Sequence, residues 1–297
     1  MIINDTQVQT LIEALPYLRD FKDKTIVVKY GGNAMLNDQI KNKVLQDIVF
    51  LQCAGMRPVV VHGGGPEITA MLMQAGKKSE FVSGLRVTDA ESVGIAEMAL
   101  VGKINTDLVA RLNTLGGRAV GLNGKDANLV QAKKHLADVY ENGEVNLVDI
   151  GYVGNVEHVN TDLIEVLLAN GFIPVIAPTG VGSSGETYNI NADSVAGEIA
   201  GALKAEKLLV LTDVRGIYSD YRDENSFIST LTFEKAQELI IRGKIDGGMI
   251  PKVRACITAL SGGAKKTHII DGRVEHTILM EIFSDKGVGT EVVKELR

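Results

Sequence analysis

Two lysines that stand beside glycine pairs are the residues of this sequence best suited to act on an anion. Lys29 precedes Gly31 and Gly32 at the end of an apolar run. Lys252 follows the glycine pair at 247–248 and a proline, in a place where a helix is predicted to begin. Glycines let main-chain N–H groups approach a phosphate, and a helix start that carries a lysine indicates an anion nearby. An ordinary turn with a solvated lysine would also explain either motif taken alone.

A second glycine cluster follows the apolar run 58–62, where His62 leads into three glycines and a proline. Successive glycines at a strand-to-helix junction suit a ligand that is held by main-chain amides. The role of His62 stays open between a packed or backbone-bonded histidine and one that contacts the ligand. The same string is typical of the oxyanion loop of esterases, but the sequence has no Gly-x-Ser-x-Gly motif, which disfavours a hydrolase.

A third cluster, formed by Asn189, Asn191 and Asp193, precedes the helical pattern 194–203. Alternate residues of an extended segment point to one side, so the two asparagines are predicted to face the same space. Asp193 could cap the helix with its carboxylate, or it could reach sideways to hold cations. Capping alone does not explain the two asparagines.

Two common nucleotide-binding motifs are excluded by their context. The string 180–185 has the glycine spacing of a dinucleotide-binding fingerprint, but residues 187–191 after it are typical of strand or loop rather than helix. We therefore predict a hairpin tip at 180–185. No Gly-Lys pair is preceded by the glycine that a Walker A phosphate loop requires. A nucleotide would have to be bound by a different arrangement.

The elements that must position these residues follow a βαβ rhythm. Short apolar runs alternate with longer helical patterns, and the runs are 25–29, 58–62, 119–122, 173–177, 207–212 and 267–270. This alternation predicts an α/β fold with a mainly parallel sheet that is covered by helices on both faces. Ligands of such sheets bind beyond the carboxyl ends of the strands, where the glycine motifs lie. A polar segment at 133–157 predicts hairpins or an excursion between two lobes, with a boundary near residue 180.

Before the first strand, residues 7–21 carry apolar side chains at helical spacing. Pro16 lies inside this amphipathic helix and predicts a kink or break near Leu15. Two roles stay open for the helix, which could pack on its own domain or join the subunits of an oligomer.

The chain has 297 residues, of which 45% are hydrophobic, and 37 acidic side chains outnumber 31 basic ones for a net charge of -6. This balance predicts a folded chain and disfavours nucleic acid or an anionic membrane as the main partner. The two cysteines, Cys53 and Cys256, are predicted to be reduced thiols in the core. The sequence shows neither a long apolar run nor a signal-peptide pattern, which predicts a cytoplasmic protein.

Five motifs occur in order: Lys-x-Gly-Gly, His-Gly-Gly-Gly, Gly-Leu-Arg-Val-Thr-Asp, Asn-x-Asn-Ala-Asp and Gly-Gly-Met-x-x-Lys. In this order and spacing they make the chain resemble the amino-acid kinase family, and in particular its members that phosphorylate N-acetylglutamate. The resemblance implies an open three-layer αβα sandwich. Residues 1–22 would be an oligomerisation helix, and residues 23–180 a lobe that binds the amino-acid substrate and dimerises. Residues 181–297 would be a nucleotide-binding lobe with a C-terminal effector segment.

The resemblance implies transfer of the γ-phosphoryl group of ATP, with Mg²⁺, to the side-chain carboxylate of N-acetyl-L-glutamate, an early step of arginine biosynthesis. The implied catalytic residues are Lys29, Lys252 and Asp193. The residues implied for the amino-acid substrate are Gly64, Gly65, Arg86 and Asn189. The residues implied for the nucleotide are Gly31, Gly32, Thr212, Asp213 and Gly216. No metal ligand of the protein itself is implied.

The N-terminal helix and the segment 281–290 resemble features of family members that arginine inhibits. This implies feedback inhibition by L-arginine and a hexamer built as a trimer of dimers. The residues implied around arginine are Tyr17, Lys207, His268, Glu281 and Gly289. A further resemblance to the cyanobacterial and plastid branch implies a nitrogen-signalling PII protein as a partner and, for a plastid member, the stroma as its location. Two alternatives stay open: a relative that phosphorylates another carboxylate or a carbamate, and an arginine sensor without catalysis.

Overall fold

The computed structural model describes residues 5–35, 37–141, 144–220, 222–245 and 247–295. Its strands are β1 (Thr25–Tyr30), β2 (Arg57–His62), β3 (Phe81–Val82), β4 (Leu85–Arg86), β5 (Ala119–Asn123), β6 (Val130–Glu141), β7 (Glu144–Val159), β8 (Ile173–Ala177), β9 (Thr179–Val181), β10 (Thr187–Asn189), β11 (Lys207–Thr212), β12 (Ile217–Tyr218), β13 (Phe227–Ile228), β14 (Thr230–Thr232), β15 (Lys266–Asp271) and β16 (Thr290–Val293). Its α-helices are α1 (Asp5–Phe21), α2 (Asp38–Cys53), α3 (Gly65–Gln74), α4 (Ala90–Glu97), α5 (Thr106–Thr114), α6 (Asp162–Ala169), α7 (Ala192–Ala202), α8 (Phe233–Ile241), α9 (Met249–Gly262) and α10 (Thr277–Ile282). A π-helical segment, Met98–Asn105, joins α4 to α5. Among the residues so described, no helix has both the length and the apolar character needed to cross a membrane.

An eight-stranded sheet forms the centre of the molecule, in the order β14-β16-β15-β11-β1-β2-β8-β5. β16 runs antiparallel to β15, and the other neighbouring pairs of this sheet are parallel. The mainly parallel sheet predicted from the sequence is therefore confirmed. In its register Tyr30 lies opposite His62, and Thr212 lies opposite Asp271. The loops after β1, β2 and β11 consequently leave the sheet on the same side, at the carboxyl ends of its strands.

Side chains of the central strands alternate between two cores, one on each face of the sheet. Val27 and Val59 belong to one core together with helices α7 and α9, whereas Ile26 and Val60 belong to the other together with α2. Because successive side chains of a strand point to opposite faces, this alternation builds a helix layer on each side of the sheet. The strands are buried on both faces, which explains their continuous apolar runs. The predicted αβα sandwich is confirmed.

A small closed barrel is formed by β6, β7, β9 and β10. β6 and β7 form a long hairpin in the polar segment, where the sequence predicts hairpins. β9 and β10 pair antiparallel, so the string 180–185 contains the predicted hairpin tip. The barrel was not predicted, because pairing between distant strands leaves no local pattern in the sequence. Residue 180 lies inside β9, and the division into two lobes near it stays a prediction.

Two helices, α1 and α9, contain a proline, and their bounds differ from the predicted ones. α1 continues through Pro16 from Asp5 to Phe21, so the helix is not broken near Leu15, and a kink there stays a prediction. A proline removes one backbone hydrogen bond, and the turns on both sides of Pro16 keep this helix continuous. α9 begins at Met249 rather than at Lys252. Pro251 therefore lies in the first turn, where its missing N–H would have had no partner in the helix.

The two cysteines differ in their surroundings. Cys256 is buried and Cys53 is exposed, so the prediction of a core thiol is confirmed for Cys256 and wrong for Cys53. The buried face of α2 follows residues 44, 48 and 51, which leaves position 53 toward solvent. Burial raises the pKa of the Cys256 thiol to about 12, so this thiol stays protonated.

Candidate active site

Lys29, Asp193 and Lys252 come together at the carboxyl edge of the sheet. The Lys29 Nζ lies 2.8 Å from Asp193 Oδ1, and the Lys252 Nζ lies 3.3 Å from Asp193 Oδ2. The side chains of Lys29 and Asp193 are 7% and 6% exposed, and that of Lys252 is 17% exposed. One shielded carboxylate therefore holds two ammonium groups that come from distant parts of the chain.

The charge of this cluster favours an anion. Burial by itself would raise the pKa of the Asp193 carboxyl, but the charges of Lys29 and Lys252 outweigh burial and hold that pKa below its ordinary value. Asp193 is therefore ionised at neutral pH. Two ammonium groups against one carboxylate leave an excess of positive charge at this place.

The start of α7 fixes the Asp193 side chain. Asn191 is the N-cap, and its side-chain oxygen accepts hydrogen bonds from the Asp193 N–H at 2.8 Å and from the Ser194 N–H at 3.4 Å. α7 begins at Ala192, two residues before the predicted start. Asn191 thus caps the helix, and the Asp193 carboxylate is directed at the lysines instead, which settles the choice that the sequence left open.

Lys252 is held by the turn that opens α9. Its Nζ donates a hydrogen bond to the Gly248 carbonyl at 3.1 Å, in addition to its pairing with Asp193. Gly247 has a φ of 47°, a left-handed conformation that favours glycine. The glycine pair therefore lets the chain turn so that the start of α9 brings its lysine to the site.

A cavity of about 220 Å³ lies on one side of the lysine cluster, and we call it the acceptor cavity. Lys29 and Asp193 both line it. Its wall also includes the four residues implied for the amino-acid substrate, which are Gly64, Gly65, Arg86 and Asn189. The structure thus brings together these six side chains and backbone segments from separate parts of the chain.

Arg86 presents a positive charge to the acceptor cavity. Its guanidinium donates to Ser79 Oγ, to the Gly65 carbonyl at 3.0 Å and to Thr69 Oγ1 at 2.9 Å, and it lies 4.7 Å from the centre of the Phe81 ring. These partners are all neutral, and no carboxylate of the described residues pairs with this guanidinium. Burial lowers the pKa of Arg86, but an arginine starts so high that it stays charged. A carboxylate in the cavity would be its missing counter-charge.

The two glycine turns approach each other beside Lys29. A Cβ on Gly31 would lie 3.2 Å from the Gly63 nitrogen and 3.2 Å from the Lys29 Nζ. A Cβ on Gly64 would overlap the Ile104 Cδ1 atom and would lie 2.8 Å from the Leu100 Cδ2 atom. A side chain would therefore be crowded at Gly31 and would overlap its neighbours at Gly64.

We expect Gly64→Ala to destabilise the protein, because the added methyl group overlaps the Ile104 side chain. The expected loss is about 1–3 kcal/mol in the free energy of unfolding, the usual cost of overpacking, measured by urea denaturation. Gly65→Ala is the matched control, since no atom of the described residues lies within 4 Å of a Cβ at that position. Equal stability of the two variants would contradict the close packing at Gly64.

A larger cavity of about 560 Å³ opens on the other side of the lysine cluster, and we call it the nucleotide cavity. Its wall includes the five residues implied for the nucleotide, which are Gly31, Gly32, Thr212, Asp213 and Gly216. Lys252 lines this cavity as well, and Lys29 and Gly32 line both cavities. Groups bound in the two cavities would therefore meet at Lys29 and Gly32.

The donor atoms beside the lysine cluster bear on how Mg²⁺ could be held. The carboxylates on the described walls of the two cavities are Asp193 and Asp213. Both oxygens of Asp193 face lysine ammonium groups, and the described part of the chain holds no group of three side chains suited to a metal. This donor set does not suit a cage built from the protein alone. It fits a magnesium ion that is held mainly by phosphate oxygens and water, as Mg²⁺ is with nucleotides.

A third cavity, of about 300 Å³, lies at the opposite edge of the sheet, beside α1 and α10, and we call it the effector cavity. Its wall includes the five residues implied around arginine, which are Tyr17, Lys207, His268, Glu281 and Gly289. The Glu281 carboxylate accepts from His268 Nδ1 at 2.8 Å and from the Val288 N–H at 2.8 Å. Burial raises the pKa of Glu281, but these bonds and the charges of His268 and Lys207 lower it to about 2. The Tyr17 hydroxyl donates to Asp285 Oδ1 at 2.5 Å and so ties α1 to the segment after α10.

Several residues that hold the site in place were missed from the sequence. Thr69 and Ser79 fix the Arg86 side chain, and Asn105 bonds His62. None of these three belongs to the five motifs, and each meets its partner only in the folded chain. No local pattern could have found them.

Comparison with known proteins places the chain in a family. The family model that matches the chain is the amino acid kinase family, over residues 24–271. The acetylglutamate kinase of Moorella thermoacetica is 59% identical over 283 residues, which cover 95% of this chain and 96% of that protein. That of Pelotomaculum thermopropionicum is 57% identical over 285 residues, which cover 96% of this chain and 97% of that protein.

Solved structures of N-acetylglutamate synthase from Neisseria gonorrhoeae are also similar. Its complex with coenzyme A and N-acetyl-glutamate has a TM-score of 0.81 and 27% identity, covering 98% of this chain and 64% of the synthase. Its complex with coenzyme A and L-arginine has a TM-score of 0.79 and 26% identity, covering 97% of this chain and 65% of the synthase. The chain thus spans less than two thirds of the synthase. The family model and the full-length relatives together show that this chain is a kinase that belongs to the amino acid kinase family, in the group of the acetylglutamate kinases.

Proposed function

We propose that this kinase transfers the γ-phosphoryl group of ATP to the side-chain carboxylate of N-acetyl-L-glutamate, in arginine biosynthesis. The observation that carries the proposal is the meeting of two cavities at Lys29 and Gly32, where Asp193 holds the ammonium groups of Lys29 and Lys252. The nucleotide cavity has a size usual for small-molecule sites, and the acceptor cavity offers Arg86 to a carboxylate. The acetylglutamate kinases that this chain resembles support the choice of substrate.

The chemistry needs no general base, because a carboxylate acceptor is already ionised at about pH 7. Both reacting groups are anions, so the site must align them and reduce their repulsion in a loose transition state. Lys29 and Lys252 supply positive charge where the phosphoryl group passes, and Asp193 keeps their ammonium groups in place. When it is bound with ATP, Mg²⁺ would neutralise further charge on the phosphates.

The acceptor is oriented by groups at the other end of its cavity. Arg86 offers a planar fork that can bond both oxygens of the substrate α-carboxylate. Asn189 lines the same cavity and offers an amide to the acetylated nitrogen of the substrate. With its far end held by these two residues, the side-chain carboxylate would extend toward Lys29.

An assay of ADP release with three acceptors tests this proposal. The protein is given ATP and Mg²⁺ with N-acetyl-L-glutamate, L-glutamate or L-aspartate. We expect turnover with the acetylated substrate to be higher by at least about 100-fold, because a free amino acid places an ammonium group where the acetyl amide should lie. Faster turnover on L-glutamate or L-aspartate would support another acceptor. Turnover on none of them would support the arginine sensor.

A second proposal concerns the effector cavity, and we propose that it binds L-arginine as a feedback inhibitor. Five acidic side chains line this cavity: Asp20, Glu206, Glu281, Asp285 and Glu291. L-Arginine carries a guanidinium and an ammonium group, both of which pair well with carboxylates. The similar synthase structure that is complexed with L-arginine supports the choice of this ligand.

Glu281→Gln is expected to raise the arginine concentration that gives half-inhibition by at least about 10-fold, the scale for one charge-assisted contact. The measurement is the ADP-release assay with increasing L-arginine. Glu238→Gln is the control, since Glu238 lies on α8 and is not on the wall of the cavity. An unchanged arginine response in Glu281→Gln would contradict the proposed site.

We further propose that α1 joins dimers into a hexamer. Its Val8, Leu11, Ile12 and Leu15 side chains are exposed, which leaves an apolar row on one helix without cover in the single chain. Deletion of residues 1–22 is expected to leave dimers that keep activity, because none of the described residues of α1 lines the acceptor or nucleotide cavity. Sedimentation of the shortened protein as a hexamer would contradict this role. A PII partner and a cytoplasmic location stay predictions.

A further inference from the structure

His62 lies between the second glycine turn and the π-helical segment, and both of its ring nitrogens are bonded. It is the last residue of β2 and is 0% exposed. Its Nδ1 lies 3.0 Å from the Gly63 carbonyl oxygen, and its Nε2 lies 3.1 Å from the Asn105 Nδ2. The ring has no access to either cavity, so it cannot contact a substrate directly.

Asn105 determines which ring nitrogen of His62 carries the proton. The Asn105 Nδ2 also donates to the Val175 carbonyl at 2.8 Å, and a carbonyl oxygen can only accept. The amide nitrogen of Asn105, and not its oxygen, therefore faces Val175 and His62. An amide nitrogen can only donate, so the His62 Nε2 accepts a hydrogen bond from it. The Nδ1 of a neutral ring then carries the hydrogen and donates it to the Gly63 carbonyl. Burial lowers the pKa of His62 to about 4, which keeps the ring neutral near neutral pH.

The direction of the Gly63 carbonyl determines the direction of the next N–H group. A trans peptide unit is planar, so the Gly63 C=O and the Gly64 N–H point to opposite sides of it. Because His62 holds the carbonyl, the Gly64 N–H is turned away from the ring. Gly64 lies on the wall of the acceptor cavity, and within the described residues its N–H donates to no backbone carbonyl. This N–H can therefore serve a bound anion.

The π-helical segment Met98–Asn105 contacts the same turn from a second side. Leu100 and Ile104 pack against Gly64, while Asn105, the next residue, bonds His62. Gly121 of β5 leaves room for the Asn105 amide, since a Cβ at Gly121 would overlap the Asn105 Oδ1 atom. π-Helical turns are rare and are frequently found at functional sites. One segment thus fixes both the position and the orientation of the turn.

We propose that His62 and Asn105 are positioning residues, which orient the Gly63–Gly64 peptide so that its N–H faces the reacting anions in the acceptor cavity. The proposal rests on the proposed function, because those anions are the acceptor carboxylate and the phosphoryl group that it receives. The pair acts through the backbone and touches no substrate atom.

The first test is the protonation of His62 in the intact protein. Nitrogen NMR of protein with labelled histidines should show, for the His62 imidazole among the five, hydrogen on Nδ1 and none on Nε2. This signal should persist between about pH 6 and about pH 8, and it should vanish in His62→Asn, which assigns it. A His62 with hydrogen on Nε2 would overturn the proposal. This measurement needs no turnover, so it stands apart from the proposed function.

The second test compares His62→Leu with His62→Asn. The amide nitrogen of an asparagine is as many bonds from Cβ as the Nδ1 of histidine, so it can still donate to the Gly63 carbonyl. We expect His62→Leu to lower kcat on the order of 10- to 100-fold with an unchanged KM for ATP, and His62→Asn to recover most of this loss. Both variants lose the bond to Asn105, so a purely structural role would lower both alike. Equal kcat values would overturn the proposal.

A third test moves Asn105 without altering the cavity and covers the case in which the His62 variants fail to fold. Gly121→Ala should displace the Asn105 amide, change the His62 nitrogen signal and lower kcat with KM for ATP unchanged. Gly102→Ala, on the same π-helical segment, is the control, since among the described residues no atom lies within 4 Å of a Cβ there. An unchanged His62 nitrogen signal in Gly121→Ala would overturn the proposal that Asn105 and His62 act together. Absence of turnover on every acceptor would refute the proposed function and leave the NMR result to decide the orientation.

Discussion

Lys29→Met is expected to lower kcat on the order of 100-fold, the scale for losing one donor that stabilises a transition state. Methionine fills a similar volume but carries no charge, so the Asp193 carboxylate would keep only the ammonium group of Lys252. Lys29 lines both cavities, so its charge lies where the two anions meet. The KM values for both substrates should change much less than kcat, because the effect belongs to the transition state. The measurement is steady-state ADP release over both substrates.

Lys252→Met should lower kcat by a similar factor. The variant that carries both Lys29→Met and Lys252→Met should lose much less kcat than the product of the two single fold-losses. The reason is that both lysines act on the same charge and share one carboxylate. Lys265→Met is the control, since Lys265 is exposed and pairs with Glu206 away from both cavities. Thermal unfolding followed by circular dichroism must show that each variant is folded. Near wild-type turnover in either single variant would remove that lysine from the mechanism.

Arg86→Gln is expected to raise the KM for the acceptor by about 100-fold, since a bidentate pair with a carboxylate is among the strongest contacts a side chain makes. The KM for ATP should not change, because Arg86 is not on the wall of the nucleotide cavity. N-Acetyl-L-glutamate should raise the melting temperature of the wild type and not that of the variant. Kinetics with each substrate varied in turn, together with thermal melts, measure these effects.

Arg118→Gln is the matched control for Arg86→Gln. Arg118 also stacks on an aromatic ring, 4.3 Å from the centre of Phe172, and also donates to a backbone carbonyl, that of Asn170 at 3.0 Å. It lines neither the acceptor nor the nucleotide cavity. The change at Arg118 should leave both KM values unaltered. An equal effect of the two variants on the acceptor KM would mean that Arg86 acts through stability and not through a substrate carboxylate.

The sheet could be predicted from short local patterns, and the cluster of Lys29, Asp193 and Lys252 from the order of the motifs. Strands that are buried on both faces must be apolar throughout, so runs such as 207–212 indicate a parallel sheet. The loops at the carboxyl ends of neighbouring parallel strands must share an edge, so Lys29 and the glycine turns are expected to lie near one another. Proximity to Lys252 and Asp193 came from the resemblance of five ordered motifs. The structure then gave the distances.

Other features depend on contacts between residues that are far apart in the chain. The sequence could not choose between Asp193 as a helix cap and Asp193 as a partner of two lysines, because that choice depends on where β1 and α9 lie. The barrel of β6, β7, β9 and β10 and the exposure of Cys53 were missed for the same reason. Pairing of distant strands and the direction of a helix face are set by packing of the whole chain.

The sequence by itself determined the type of fold, the places where an anion could be held, and the residues suited to neutralise it. These follow from hydrophobic period, glycine position and side-chain charge, which are local properties. The tertiary structure alone decided that Asn191 caps α7, that Arg86 has neutral partners, and that Asn105 bonds His62. The bonds of Arg86 and Asn105 join residues far apart in the chain, so they form only when separate elements pack together. The Asn191 cap is local, but the choice of Asn191 over Asp193 as the cap depends on the lysines that β1 and α9 bring to Asp193.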